Sequence, residues 1–98
     1  LAENLTRVIP AHLSATIDRT TWTPAPVFTL IGELGDVARA DLESTFNQGI
    51  GMIAVVDADA ADDSVRLLTE RGVQAWVCGQ VQTASDESTV SLVGDHPA

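Results

Sequence analysis

Apolar residues recur along this chain at two spacings, and the spacing changes several times. Val27, Leu30, Ile31 and Leu34 fall at i, i+3, i+4 and i+7, which places them on one face of a helix. Thr23 before Pro24 suits the start of that helix, because a hydroxyl caps it and proline's missing N–H costs nothing there. Gly35 suits its end. Ala38, Leu42 and Phe46 recur every fourth residue and predict a second helix, with Asp36 available to cap it. Ala61, Val65 and Leu68 predict a buried stripe on a third helix. Asp57 and Asp59 open that helix at the positive end of its dipole, and Gly72 closes it. A short helix is predicted over residues 1–8.

The runs between these helices read differently. Residues 14–18 and 89–93 predict strands, residues 74–81 a longer one, and the polar stretch 85–88 the turn between the last two. Gly51 leads into Met52, Ile53, Ala54, Val55 and Val56, an unbroken apolar run expected to form a central strand. The expected order is helix, strand, two helices, strand, helix, two strands. That order implies an α+β fold in which helices pack on a mixed, mainly antiparallel sheet. No internal repeat, heptad run or linker divides residues 1–98, so they read as one small domain.

Composition narrows the function. Five basic against fourteen acidic residues give a formal charge of −9. Nucleic-acid binding draws its affinity from clustered Lys and Arg that displace counterions, so no nucleic-acid partner is expected. No apolar run approaches the ~20 residues of a membrane helix and no signal peptide is present, which points to a cytoplasmic protein without a membrane partner. Cys78 has no second cysteine to pair with and reads as a reduced, inert thiol in an apolar strand.

Asn47, Gly49 and Gly51 form the most unusual stretch, a glycine-rich bend between a helical pattern and the apolar run. Such a bend stops the helix and lets another backbone or a ligand come close. Glu3, Asn4 and Arg7 offer a guanidinium fork and an amide, groups suited to phosphate or carboxylate. Their ordinary account is a solvated helical turn with Arg7 paired to Glu3 at i, i+4. The cluster Asp57, Asp59, Asp62 and Asp63 fails as a calcium loop, since the sixth and twelfth positions hold Asp62 and Leu68 instead of Gly and Glu. Helix capping explains it. His12 and His96 share no ligand spacing with each other or with Cys78 and read as surface residues. Trp76 is expected in the core, with Trp22 there or over a sheet edge. No Ser/His/Asp set and no Walker loop can be assembled, so no catalytic residue and no metal ligand is assigned.

Thr45-Phe46-Asn47-Gln48-Gly49-Ile50-Gly51-Met52 resembles the T-F-N-x-G-[IV]-G-M segment of the phosphoribosylformylglycinamidine cyclo-ligase (aminoimidazole ribonucleotide synthetase) family. Glu3-Asn4-Leu5-Thr6-Arg7-Val8-Ile9-Pro10 is similar to that family's E-N-[IL]-P-R-V-[LI]-P, with Thr6 where the family usually has Pro. Residues 15–18, Trp22, Pro26-Val27-Phe28 and Leu34-Gly35 follow in the family's order, and residues 75–81 resemble its A-W-x-[IV]-G-x-[IV] strand. The likeness runs collinearly to Leu92. It implies the C-terminal part of an enzyme that closes the imidazole ring of aminoimidazole ribonucleotide in purine biosynthesis. ATP activates the formamide oxygen of formylglycinamidine ribonucleotide, an amidine nitrogen attacks that carbon, and phosphate leaves.

The resemblance further implies that ATP and magnesium are held mainly by an N-terminal nucleotide-binding domain, with a His and glycine run just before Leu1. The first residue is Leu rather than Met, so the chain reads as a cut piece, inactive by itself. The expected partners are the phosphorylated ribonucleotide substrate, the protein's own N-terminal domain and a second copy in a homodimer. Glu3, Asn4, Arg7, Asn47, Gly49 and Gly51 are the substrate-binding candidates carried over. Two alternatives stay open: another member of the same ATP-dependent superfamily, such as formylglycinamide ribonucleotide amidotransferase, or a non-catalytic α+β binding module.

Overall fold

The computed structural model describes residues 1–84 and 89–97. Among the described residues, four helices and three strands follow in the order α1 (Ala2–Thr6), β1 (Leu13–Asp18), α2 (Pro26–Leu34), α3 (Arg39–Thr45), α4 (Ala61–Glu70), β2 (Gly79–Thr83) and β3 (Val90–Val93), with short 3₁₀ turns after β1 and before α4. The sheet order is β2-β1-β3. β1 runs antiparallel to β2 and parallel to β3, so the fold is α+β with a mixed sheet.

β1 holds the middle position because both of its edges are paired. Ala15 stands opposite Val81 and Val90, and Ile17 opposite Gly79 and Leu92. Two residues apart on one strand, Ala15 and Ile17 share a face. They are buried with Leu1, at the N-cap of α1, and Leu5 four residues on, and Ile9, Trp22, Ile50, Ile53 and Val81 pack around this core. Gly79 is required where it is: a Cβ there would lie 2.0 Å from the Thr16 carbonyl oxygen.

A corner formed by α2 and α3 is joined to the sheet by polar contacts. Phe28 and Phe46 meet edge to face at 5.8 Å, and the backbone at Gly32 comes close to Leu42. Arg19, just past β1, pairs with Glu43 of α3 at 2.8 Å. The same guanidinium donates to the carbonyls of Leu92 and Val93 at the end of β3. Both charged side chains are mostly buried, at 16 % and 13 % exposure.

Several expectations need correction. The apolar run 51–56 forms no strand: β1 occupies the central position, and Met52, Val55 and Val56 are left exposed. α4 forms, but its stripe is only partly covered: Ala61 and Val65 are half-buried and Leu68 is exposed. β2 begins at Gly79: residues 74–77 lie outside the ladder with β1, and Cys78 adds only its carbonyl as acceptor for the Asp18 amide. α2 starts one Pro later than the sequence suggests, with Ala25 at the cap and Pro26 first in the helix. Gly35 ends that helix in a right-handed conformation, and the left-handed residue is Asp36. The amides of Asp36 and Val37 then bond back to Glu33 and Gly32, which closes the helix and takes Asp36 away from capping α3. The predicted turn at 85–88 lies outside the described residues.

Candidate functional site

Leu1 and Leu5 anchor α1 by one face, and this turns Glu3, Asn4 and Arg7 outward. The C-terminal end of α3 comes up against that outward face. Ser44 Oγ donates to Glu3 Oε1 at 2.7 Å, and Asn4 Nδ2 donates to Asn47 Oδ1 at 3.0 Å. Arg7 Nη1 reaches Asn4 Oδ1 at 3.5 Å. The i, i+4 pairing of Arg7 with Glu3 is absent: Glu3 takes the Ser44 hydroxyl, and among the described residues Arg7 makes no ion pair.

Asn47 opens a tight turn in which Ile50 N–H bonds to Asn47 O at 3.1 Å. Gln48 and Gly49 have φ of 55° and 94°, the pair of positive values typical of a type I′ turn. Glycine is at ease at the second position. A glutamine at the first is unusual and is held by its surroundings: it is 6 % exposed, and its carbonyl accepts Trp22 Nε1 at 3.1 Å. Gly51 is exposed, with open space where a Cβ would stand. Glu3, Asn4, Arg7 and Asn47 are therefore directly linked, and Gly49 and Gly51 follow on the same short segment. A groove of about 530 Å³ beside Trp22 and Trp76 is lined by only one of the six, Gly49.

The Thr20 hydroxyl and then its amide hold the Asp18 carboxyl below the ordinary range. The hydrogen bond from Arg39 does the same for Asp95. Burial pushes the Cys78 thiol up, which leaves it a poor nucleophile. Cys78 sits just before β2 rather than within a strand, and its carbonyl accepts the Asp18 amide at 2.7 Å. Among the described residues no group of three or more His, Cys, Asp or Glu side chains is placed to hold a metal. Among the same residues no helix is long and apolar enough to cross a membrane.

His96 corrects a sequence expectation. It is half-buried, with Nδ1 between the carbonyls of Arg19 at 2.9 Å and Trp22 at 3.1 Å and its ring edge-on to Trp22 at 4.6 Å. His12 is exposed, as expected. Sequence reasoning missed Ser44, Gln48 and His96. Ser44 had a detectable signal, since it lies three residues before Asn47 near the end of a predicted helix. Gln48 and His96 had none, because their burial depends on contacts from distant segments.

Comparison with known proteins adds to this geometry. Residues 1–91 match the family described as AIR synthase related protein, C-terminal domain. The chain is 51 % identical over 100 residues to a Streptomyces fradiae protein provisionally named a phosphoribosylformylglycinamidine cyclo-ligase; the match covers 98 % of this chain and 55 % of that protein. It is 44 % identical over 84 residues to the phosphoribosylformylglycinamidine cyclo-ligase of Symbiobacterium thermophilum, covering 86 % of this chain and 24 % of that one. Against the enzyme of that name from Myxococcus xanthus the identity is 40 % over 89 residues, covering 91 % and 26 %. The chain thus spans about half the length of the first relative and about a quarter of the other two.

Proposed function

The chain belongs to the AIR synthase related protein, C-terminal domain family, and on that premise we propose that it is the C-terminal part of an ATP-dependent cyclo-ligase. The reaction is ring closure of formylglycinamidine ribonucleotide to aminoimidazole ribonucleotide, and this chain supplies the substrate side of the cleft. The observation that carries the reading is the hydrogen bond between Asn4 and Asn47. It joins two segments 43 residues apart into one polar surface, and those segments hold the family-like wording.

Each residue has a defined part in this reading. Arg7 presents a guanidinium without an acidic partner among the described residues, suited to a phosphate on the ribose. Asn4 and Asn47 fix each other's amides, so their remaining donor and acceptor positions face the ligand in a set orientation. Glu3, tied to Ser44, stiffens the same helical turn. Gly49 shapes the turn, and Gly51 leaves room for a ligand against the backbone.

Magnesium does not fit the described residues, among which no group of three or more His, Cys, Asp or Glu side chains is placed to hold a metal. The nucleotide and its metal are assigned to an N-terminal domain of the whole protein, and no phosphoryl-transfer step is placed on this chain. A homodimer and a cytoplasmic setting complete the proposal.

The test uses the full-length protein, following ATP-dependent phosphate release with formylglycinamidine ribonucleotide. Arg7→Ala and Asn47→Ala are expected to raise KM by about tenfold or more, since each removes a contact to substrate, with a smaller change in kcat. Unchanged KM in both variants would overturn the placement of substrate here. The 98-residue chain alone is expected to show no turnover.

A further inference from the structure

The turn at residues 47–50 holds Asn47 against Asn4, and its hand is not the one that its residue types favour. A type I turn, the commonest, accepts most residues at its two central positions with negative φ. Gln48 and Gly49 stand instead at φ 55° and 94°, in the mirror-image type I′ form. Glycine accepts this freely. Left-handed backbone at a glutamine is uncommon and persists where its surroundings enforce it.

One contact distinguishes the two hands. The carbonyl of Gln48 belongs to the central peptide of the turn, and mirror reflection moves that carbonyl to the opposite face. In the form present here it accepts the Trp22 indole N–H at 3.1 Å. A type I turn would carry the carbonyl away from this donor. The donor is itself anchored from the sheet. Trp22 follows the 3₁₀ turn Arg19–Thr21 at the end of β1, and the ring of His96 meets it edge-on at 4.6 Å. Nδ1 of the same histidine bonds the carbonyls of Arg19 and Trp22 at 2.9 and 3.1 Å, so imidazole and indole are held on one stretch of backbone.

We infer that Trp22 is a positioning residue: its indole N–H selects the type I′ form of the turn and so sets Asn47 at hydrogen-bond distance from Asn4. The single indole N–H is used on Gln48, which is not among the six substrate candidates, and Trp22 acts on Asn47 through that neighbouring residue. The inference rests on the placement of substrate at the Asn4–Asn47 patch.

Trp22→Phe keeps a ring beside His96 and removes the N–H. In the ¹⁵N-labelled 98-residue chain, Gln48 is expected to show the strong cross-peak between its own amide and Hα protons that positive φ produces. Trp22→Phe should weaken that cross-peak and shift the side-chain amides of Asn4 and Asn47. In the full-length protein it is expected to raise KM for formylglycinamidine ribonucleotide about fivefold, the worth of one neutral hydrogen bond, with a smaller change in kcat. Adding Gln48→Asn should restore the cross-peak and most of KM, because Asn-Gly favours type I′ without help from the indole. A general loss of stability would not be rescued in this way.

An unchanged Gln48 cross-peak in Trp22→Phe would overturn the inference, as would an unchanged KM where Arg7→Ala raises it. Should Arg7→Ala also leave KM unchanged, the substrate placement fails, and the role of Trp22 in binding fails with it. Should Trp22→Phe unfold, deuterium exchange at the Trp22 indole of the unaltered chain decides: protection is expected, and exchange as fast as in a free indole overturns the inference.

Discussion

The side chain of Asn4 donates to the side chain of Asn47 at 3.0 Å, tying the first helix to the turn that follows the third. The bond is solvent-exposed, so its contribution to stability lies at the low end of the usual range. A double-mutant cycle with Asn4→Ala and Asn47→Ala is expected to show coupling of about 0.5 kcal/mol in urea unfolding. Strictly additive losses would mean that the two amides do not meet in solution.

The two glycines of the turn are expected to respond differently. Gly49 sits at φ 94°, where an L side chain is strained although the nearest atom to its Cβ would be 3.7 Å away. Gly49→Ala should cost about 1–2 kcal/mol. Gly51 has neither positive φ nor a neighbour, so Gly51→Ala should change stability by less than about 0.5 kcal/mol. Chemical denaturation measures both. A kinetic defect of Gly51→Ala in the full-length protein would then come from ligand approach, since folding does not need that glycine.

Arg19 and Glu43 give a second contrast. Arg19→Met leaves Glu43 without its closest cation and removes a donor from the carbonyls of Leu92 and Val93. It should cost about 2–3 kcal/mol. Glu43→Gln keeps an acceptor for Arg19 and should cost about 1 kcal/mol. Equal losses in thermal unfolding would show that the carbonyl contacts contribute nothing.

Acid should act through Asp18. Its folded pKa is depressed, first by the Thr20 hydroxyl at 2.6 Å and then by the Thr20 amide. A depressed carboxyl stabilises the fold fully above its unfolded value of ~3.9, and that share is lost as pH falls through the folded value. Thr20→Ala removes only the hydroxyl, so NMR titration should show the Asp18 pKa rising part of the way back to normal. An unmoved pKa would refute the assigned cause.

The exposed apolar residues predict self-association. Met52 is 90 % exposed, and Val55, Val56 and Val77 are also largely uncovered. Light scattering on the concentrated chain should give a mass above 10.3 kDa. Val55→Lys should lower it, and a monodisperse monomer at high concentration would count against association.

Much of the fold was legible because the signals were local. The Val27–Leu34 spacing located α2 to within a few residues, and the reading of residues 14–18 as a strand located β1. What escaped depended on partners. Residues 51–56 have the composition of a strand, but a strand exists only where another pairs with it, and the β2-β1-β3 sheet does not include them. The start of α2 was misplaced because Thr23-Pro24 offers a capping hydroxyl, whereas the helix begins after Ala25, which has none. Asp36 looked like a cap for α3, yet closing α2 required it to turn left-handed. At the candidate site, residue types were visible in the sequence, whereas the contacts of Ser44, Gln48 and His96 came from segments dozens of residues away.

Trp22 touches three separate parts of the molecule: its N–H meets the Gln48 carbonyl, its face meets His96, and Trp76 lies 6.2 Å away. With no tyrosine in the sequence and only these two indoles, nearly all intrinsic ultraviolet emission arises at that junction. The protein therefore carries its own optical reporter. Any event that shifts the bend at residues 47–50 or the segment around His96 should change the colour or yield of that light, without a dye or a label.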